Sequence, residues 1–416
     1  MTVATYRTRL VDPLLDELLA QVPAVLVTGP RASGKTTTAA RRAATVVQLA
    51  ASTQAAAFIA DPDVALRGMD EPVLLDEWQD VPGVFGAARR AVDADPRPNR
   101  FYLTGSVTAV VENQMWPGTG RLVRVPMYPM TVRERRGAAI GKTFLDRLAD
   151  GDDLPPSADT PDLRGYVELS LESGFPTAAL SLSGRPREMW LESYLDDLLT
   201  HDVEGLEEHP TRGRDTVLLR RYFESYALNS AGLAEHKTIY DAAGITKRTA
   251  IAYEQLLTRL LVADQLPAWT SNRLKRLVQA PKRYVIDAAL IGAALRVDAG
   301  GIIRDGDLLG RILDTFAVSQ IRPETVVSAR QPRLHHLRTE GGRHEIDLIA
   351  EFGGGRVVGI EIKATAAPTE HDAKHLRWLR SELGERFLAG VVLHTGPRTY
   401  RLADDIVAAP ISTLWA

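Results

Sequence analysis

The chain has 416 residues, of which 45% are hydrophobic and 25% are charged, and its formal net charge is −3. That length exceeds one ordinary hydrophobic core, so we expect two to four domains. The absence of cysteine excludes disulfides, thiolate chemistry and Cys-ligated metal, and the small net charge restricts any nucleic-acid contact to a local basic patch. Without a signal pattern or an apolar run of about 18 residues, we expect a cytoplasmic protein with no membrane role.

An apolar run that begins at Val25 leads into a phosphate-binding pattern. Residues 29–36 fit G-x-x-x-x-G-K-[ST], and helix-compatible residues follow. In such a loop backbone N–H groups face phosphate oxygens, and glycines allow the backbone to approach closely. Lys35 is expected to reach the β- and γ-phosphates and Thr36 to bind Mg²⁺, whereas the alternative is a chance glycine-rich turn. The expected nucleotide-binding residues are Gly29, Pro30, Arg31, Ala32, Ser33, Gly34, Lys35, Thr36 and Thr37.

Lysine is rare in this chain. Only 8 of the 50 basic residues are lysines, and the others are arginines. Lysine offers a compact point charge where arginine offers a planar fork, so the two are not interchangeable at a phosphate. Lysines retained at positions 35 and 363 therefore indicate chemical roles.

A second apolar strand, beginning at Val73, ends in two carboxylates about 40 residues after the loop. Asp76 fits the Mg²⁺-holding role, and Glu77 fits the base that activates the attacking water. The alternative is an ordinary strand end with solvated acids. The next strand ends at Thr104 and Ser106, whose hydroxyls could position the water or sense the γ-phosphate, or could belong to a plain turn.

Composition and periodicity divide the chain into four parts. Residues 1–150 alternate strand-like and helix-like segments, as a three-layer α/β domain would. Residues 151–230 contain a Gly/Pro/Asp-rich linker followed by helical periodicity. Residues 231–282 form a compact helical unit with a helix-turn-helix pattern, and residues 283–416 return to a mixed α/β pattern.

The helix-turn-helix pattern lies at 236–262. A short helix is predicted to end at Gly244, and Thr246 is predicted to cap the next helix. Lys247, Arg248 and Thr249 begin that second helix, where DNA-binding versions contact bases and phosphates. A purely structural or protein-contact role is the alternative. Basic clusters at 273–276 and 282–283 favour phosphate binding.

A carboxylate-rich hairpin is the strongest pattern near the C-terminus. Two alternating strands flank Gly353, Gly354 and Gly355, so a hairpin that folds about Gly354 pairs residues whose numbers sum to 708. Asp347 then faces Glu361. Lys363 shares the face of Glu361, because successive side chains of a strand alternate between faces.

Opposed carboxylates repel each other unless a proton or a cation lies between them. Mg²⁺ is the expected occupant, with Mn²⁺ as an alternative, and Lys363 could activate a water. The Asp347…Glu361-x-Lys363 pattern resembles the PD-(D/E)xK nuclease superfamily. That resemblance implies a further acid from an upstream helix, which Asp314 would supply where the family usually has Glu. A nuclease-like domain that binds without cleaving is the alternative.

The motifs also resemble AAA-type ATPases, in a branch of bacterial and archaeal proteins that carries a winged helix and a restriction-endonuclease-like C-terminal domain. The resemblance rests further on segments 120–134, 173–176, 194–203 and 409–415, although His201 stands where the family usually has Arg. It implies ATP as the nucleotide and a γ-phosphate-sensing role for Arg121 in its own or a neighbouring subunit. A structural salt bridge is the alternative for Arg121, and a homo-oligomer is compatible with the family.

These patterns predict an ATP-hydrolysing, Mg²⁺-dependent protein that couples nucleotide state to nucleic-acid binding, remodelling or cleavage, with DNA favoured. The alternative is a nucleotide-gated regulatory ATPase whose nuclease-like domain is inactive. The expected catalytic residues are Lys35, Glu77, Arg121, Glu361 and Lys363. The expected metal ligands are Thr36 and Asp76 at the ATPase site, and Asp314, Asp347 and Glu361 at the second site.

Overall fold

The computed structural model describes residues 6–105, 120–138, 141–204, 216–270 and 278–416, and for 201–204 and 340 it describes the backbone alone. The chain divides into two compact units. The smaller contains residues 5–130 and 259–261, and the larger contains the remainder. The predicted four-part division stays a prediction. Within the described ranges, no helix is both long enough and apolar enough to cross a bilayer.

The smaller unit contains a five-stranded sheet in which every adjacent pair is parallel. Its strands are β1 (Ala24–Thr28), β2 (Thr45–Gln48), β3 (Val73–Asp76), β4 (Phe101–Gly105) and β5 (Leu122–Pro126), in the spatial order β2-β3-β4-β1-β5. Its helices are α1 (Asp12–Leu19), α2 (Lys35–Ala40), α3 (Ser52–Ala60), α4 (Pro62–Leu66) and α5 (Gly83–Ala94). The central strands β1, β3 and β4 are almost continuously apolar because both faces of a parallel sheet are covered.

Apolar side chains from the sheet and from α5 form the core of the smaller unit. Leu75 on β3 and Leu103 on β4 are buried together with Val84 and Phe85 of α5. Burial of each such side chain stabilises the fold by about 1.5–3 kcal/mol. The packed sheet fixes the carboxyl ends of β1, β3 and β4 beside one another, and the polar residues that follow these strands are therefore held close together.

The larger unit begins with helices and ends in a mixed sheet. Its helices are α6 (Val132–Arg136), α7 (Phe144–Asp150), α8 (Leu163–Leu171), α9 (Pro176–Ser181), α10 (Gly184–Glu204), α11 (Thr216–Leu228), α12 (His236–Ala243), α13 (Lys247–Arg259), α14 (Ala288–Leu295), α15 (Ala299–Arg304), α16 (Gly306–Val327) and α17 (Lys374–Leu383). Its strands are β6 (Ala263–Leu266), β7 (Lys282–Val285), β8 (Arg333–Arg338), β9 (Glu345–Phe352), β10 (Arg356–Ile362), β11 (Phe387–His394), β12 (Tyr400–Ala403) and β13 (Ile406–Pro410).

The two helices predicted at 236–262 are observed as α12 and α13. Helix α12 ends at Gly244, whose φ of 69° is the left-handed conformation that glycine adopts at little cost. The Thr246 hydroxyl then accepts a hydrogen bond of 3.2 Å from the Thr249 amide, which caps α13. The antiparallel pair β6–β7 follows this motif along the chain.

The C-terminal sheet has six strands in the order β12-β13-β11-β10-β9-β8. Strands β9 and β10 form the predicted hairpin, and their observed pairs, from Arg356 with Phe352 to Ile360 with Leu348, all sum to 708 as expected. Helix α17 connects β10 to the parallel strand β11, and apolar residues such as Leu376 and Leu379 of that helix pack in the core beside the sheet.

Candidate functional site

The phosphate-binding pattern forms a tight loop between β1 and α2. Gly34 has a φ of 94°, which a residue with a side chain rarely adopts, and it lies directly before α2. Gly29 faces the backbone of Met127, and a Cβ atom added to Gly29 would lie 2.1 Å from the Met127 carbonyl oxygen. Both glycines are therefore required by the path of the loop, as expected for a phosphate-binding loop.

The two expected Mg²⁺ ligands are already in contact. The Thr36 hydroxyl donates a hydrogen bond of 2.7 Å to Asp76 Oδ1, although the two residues are 40 positions apart in sequence. Asp76 is buried at the end of β3. A threonine hydroxyl and a carboxylate in this arrangement fit a P-loop Mg²⁺ site, where the ion would neutralise charge on the phosphates. Thr36 and Asp76 are thus the residues that would hold Mg²⁺.

Thr104 and Gln79 position the carboxylates of this site. The Thr104 hydroxyl, fully buried at the end of β4, donates to Asp76 and accepts a bond of 3.3 Å from the Glu77 amide. The Glu77 backbone is left-handed, with a φ of 51°, and its carboxylate accepts a bond of 2.6 Å from the Gln79 side chain. The sequence pattern identified Thr104 but gave no signal for Gln79. Ser106 lies outside the described residues.

Lys35 lies within the loop and is only 4% exposed. Its ammonium donates to the Pro30 carbonyl oxygen at 2.9 Å. Burial lowers the pKa of Lys35 to about 8, although the carboxylates of Glu77 and Asp76 oppose that shift. A cation at this position can exchange its carbonyl partner for a phosphate oxygen, which is the role predicted for it.

Arg121 is not brought to the phosphate-binding loop of its own chain. It directly precedes β5, whose first residue Leu122 pairs with Ala24 at the amino end of β1. The loop follows Thr28 at the opposite end, about 13–16 Å away along the strand. Arg121 instead forms an exposed ion pair with Asp93. Of the two possibilities for a γ-phosphate-sensing Arg121, this position does not support action within its own subunit, and action on a neighbouring subunit stays a prediction.

A second constellation lies in the larger unit, and we call it the carboxylate cluster. It consists of Lys282, Asp314, Asp347, Glu361 and Lys363. The last observed pair of the hairpin is Ile360 with Leu348, and Glu361 and Asp347 are the next residues along the two strands. The Ile362 amide donates to Asp347 Oδ2 at 3.0 Å. Asp314 reaches the cluster from α16.

Lys282 is the member that sequence reasoning missed. Its ammonium lies 2.6 Å from Asp314 Oδ2 and 3.1 Å from Asp347 Oδ1, and its side chain is 3% exposed. The neighbouring Tyr284 hydroxyl donates to Asp314 Oδ1 at 3.1 Å. The expectation that the basic pair at 282–283 favours phosphate binding is not supported, because Arg283 is also buried and pairs with Glu254 at 2.6 Å.

Burial and charge separate the pKa values of the three acids. Burial raises the pKa of Asp314 to about 6, against the opposing effect of Lys282. Burial also disfavours ionisation of Asp347, but the ammoniums of Lys282 and Lys363 outweigh it and lower that pKa to about 2. Burial and the adjacent Asp347 raise the pKa of Glu361 well above its usual range. The cations therefore favour the ionised form of Asp347, whereas burial and the neighbouring Asp347 favour the protonated form of Glu361.

The cluster does not fit a divalent metal in this arrangement. Lys282 occupies one oxygen each of Asp314 and Asp347, and Lys363 donates to Glu361 Oε2 at 2.8 Å. Across the described part of the chain, no group of three His, Cys, Asp or Glu side chains is placed to hold a metal ion. The expectation that Asp314, Asp347 and Glu361 jointly bind Mg²⁺ or Mn²⁺ therefore has no geometric support, because the chain supplies its own cations.

Helix α13 begins with two exposed cations. Lys247 and Arg248 begin α13 and are both exposed, and neither is paired with a carboxylate in the part of the chain that is described. Thr249 is half-buried beside them. The basic cluster at 273–276 lies outside the described residues, as does the side chain of His201.

The smaller unit is thus a P-loop nucleotide-binding α/β domain with a parallel sheet. Residues 21–135 match the AAA domain family. Residues 163–300 and 309–414 match two domains of unknown function, DUF8612 and DUF4143. The chain is 28% identical over 403 residues to uncharacterized proteins of Mycobacterium tuberculosis (Rv2008c) and Mycobacterium bovis (Mb2031c), which covers 95% of this chain and 82% of each relative. The AAA domain supports an ATPase and implies ATP as its nucleotide.

Proposed function

We propose that this protein is a Mg²⁺-dependent ATPase whose nucleotide state controls its binding to nucleic acid, with DNA as the favoured ligand. The observation that carries the hydrolytic part is the hydrogen bond between Thr36 and Asp76 beside Lys35. These two side chains would share one Mg²⁺, which neutralises charge on the transferred phosphoryl group. Glu77 follows Asp76 directly and is the base proposed to activate the attacking water.

Exposed cations on α13 support the nucleic-acid part. Lys247 and Arg248 lie at the start of the second helix of a helix-turn-helix, where phosphate and base contacts are made in DNA-binding versions. The succession of α12, α13 and the β6–β7 pair supports a winged-helix module. Because the whole chain carries a net charge of −3, this local patch must provide the electrostatic attraction.

A regulatory ATPase with an inactive C-terminal domain is the second candidate, and the carboxylate cluster favours it over a nuclease. Metal-assisted phosphodiester cleavage needs an ion with an open position for water or substrate. Both lysines of the cluster instead contact the carboxylates that such an ion would use. This arrangement therefore does not support nucleic-acid cleavage.

ATP turnover in Mg²⁺ tests the hydrolytic part. Lys35→Ala should lose nucleotide binding, and Glu77→Gln should bind ATP but turn it over far more slowly, because only the base is removed. Lys142→Ala, at an exposed lysine of the larger unit, is the control and should keep wild-type turnover. Wild-type turnover in Glu77→Gln would contradict the assignment of the base.

Binding of labelled duplex and single-stranded DNA, measured by fluorescence anisotropy at several salt concentrations, tests the nucleic-acid part. Lys247→Ala and Arg248→Ala each remove one phosphate-binding cation, so each should reduce the slope of log K against log salt on duplex DNA by about 0.9. Lys374→Ala, at an exposed lysine that begins α17, is the matched control. Absence of DNA binding in every nucleotide state would leave the regulatory ATPase as the function.

A further inference from the structure

We propose that Lys282 is a built-in counter-ion that occupies the position of a divalent cation in the carboxylate cluster, and that removal of its ammonium creates a metal site there. The proposal is independent of ATP hydrolysis, because every residue of the cluster lies in the larger unit. Its basis is the position of one ammonium between carboxylates from two separate elements.

The contacts of Lys282 are those expected of a bridging cation. Its nitrogen lies 2.6 Å from an oxygen of Asp314 on α16 and 3.1 Å from an oxygen of Asp347 on β9. The remaining oxygen of each carboxylate accepts a hydrogen bond, from Tyr284 and from the Ile362 amide respectively. Each oxygen of the two carboxylates therefore has a partner from the chain, and the cation that joins them is Lys282.

The charges of the cluster come close to balance without an added ion. Two ammoniums face three carboxyl groups, and a proton on Glu361 would make the sum neutral. Glu361 is 2% exposed, and its second oxygen, Oε1, has no hydrogen-bond partner among the described residues. An additional divalent cation would leave the buried cluster with excess positive charge, which a low-dielectric interior disfavours.

Residue choice agrees with this interpretation. The chain uses arginine at nearly every basic position, yet position 282 carries lysine while the adjacent position carries Arg283. An ammonium is a compact point charge of the kind that can replace a metal ion, whereas a guanidinium is a larger planar fork. The Lys282 ammonium therefore lies between the two carboxylates as a bound cation would.

Removal of the ammonium leaves an acidic cavity that lacks its counter-charge. Lys282→Gln keeps a side chain of similar length but leaves Asp314 and Asp347 facing each other. Opposed carboxylates are satisfied by a proton or by a cation, and divalent cations with oxygen ligands are the natural occupants of such a pair. The variant should therefore gain a divalent-cation site that the wild-type protein lacks.

Electron paramagnetic resonance of free Mn²⁺, with the full-length chain and no nucleotide, is the direct test. The wild-type protein should leave the Mn²⁺ signal unchanged, whereas Lys282→Gln should take up about one ion per chain. The double variant Lys282→Gln with Asp347→Asn should lose that uptake, and Lys374→Gln should behave as wild type. Wild-type binding that Asp347→Asn removes would overturn the proposal, as would a folded Lys282→Gln that binds no Mn²⁺.

Thermal unfolding covers the case in which Lys282→Gln is too unstable to titrate. Mn²⁺ should raise the melting temperature of Lys282→Gln, or restore its folding, and should leave the wild-type melting temperature unchanged. If Mn²⁺ neither binds to Lys282→Gln and Lys282→Ala nor restores their folding, the cluster is not a cation site and the proposal is overturned.

Discussion

Gly29→Ala should disable the nucleotide site by steric displacement alone. A Cβ atom at position 29 would lie 2.1 Å from the Met127 carbonyl oxygen, and real Cβ contacts are not found below 3.0 Å, so a shift of at least 0.9 Å is required. Met127 cannot easily yield, because its amide donates a 2.6 Å hydrogen bond to the Thr28 carbonyl oxygen. The loop backbone must therefore move, at a cost of about 1–3 kcal/mol in packing.

The expected effect on activity is larger than the effect on stability. Misplacement of a catalytic site by about 1 Å can lower the rate on the order of 100-fold. We expect a loss of that size in kcat/KM for ATP hydrolysis. A fluorescent ATP analogue should also bind more weakly, while circular dichroism should show that the protein is folded.

Gly310→Ala is the matched control for this prediction. A Cβ atom at that position of α16 would meet no atom within 4 Å, so turnover should be unchanged. Alanine in a helix interior should add roughly 0.5–1 kcal/mol of stability. Wild-type turnover and ATP affinity in Gly29→Ala would refute the reasoning, since they would show that the loop functions without the close approach at Gly29.

Three further predictions concern both units. Thr104→Val removes a buried hydroxyl that contacts Asp76 and the Glu77 amide, so it should reduce kcat by about 10–100-fold, equivalent to roughly 1–3 kcal/mol, while the melting temperature changes little; unchanged kcat would contradict its positioning role. If Arg121 acts on the nucleotide of a neighbouring subunit, a mixture of the Arg121→Ala and Lys35→Ala proteins should recover ATP turnover. The Lys35→Ala subunit then supplies Arg121 to the intact nucleotide site of the Arg121→Ala subunit. No recovery would contradict that role. Burial raises the pKa of Glu324 from 4.5 to about 7, so the folded state binds this proton more tightly than the unfolded state does. The stability that this proton contributes is fully present below pH 4.5, and about 3 kcal/mol of it is lost as the pH rises through 7. Glu324→Gln should therefore reduce the change in the urea-unfolding free energy between these pH values. An unchanged pH dependence would contradict the raised pKa of Glu324.

Local patterns were sufficient to predict the nucleotide site and the hairpin. The loop from Gly29 to Thr36 is continuous in sequence, and its contact with Asp76 follows from the adjacency of parallel strand ends. The pairing about Gly354 depends only on the alternation of side chains along two strands. In both cases the geometry of regular elements determines which side chains meet.

The missed features depend on how distant elements pack. Lys282 lies 32 residues before Asp314 and 65 before Asp347, so no periodicity connects them, and its neighbour Arg283 made the pair resemble a phosphate-binding basic cluster. The rarity of lysine is a signal at position 282 as it is at positions 35 and 363, but it does not indicate which carboxylates the side chain meets. The position of Arg121 likewise required the register of β5 against β1, which the sequence does not specify.

The carboxylate cluster also has a consequence for how this part of the protein opens. Its charged groups come from β7, α16, β9 and β10, and Lys363 directly follows β10. Detachment of any one of these elements would leave buried charges without partners. Breaking a buried ion pair by loss of one partner costs about 3–5 kcal/mol, which suppresses partial opening of a single element. Amide hydrogens of these elements should therefore exchange with solvent in one cooperative step instead of strand by strand.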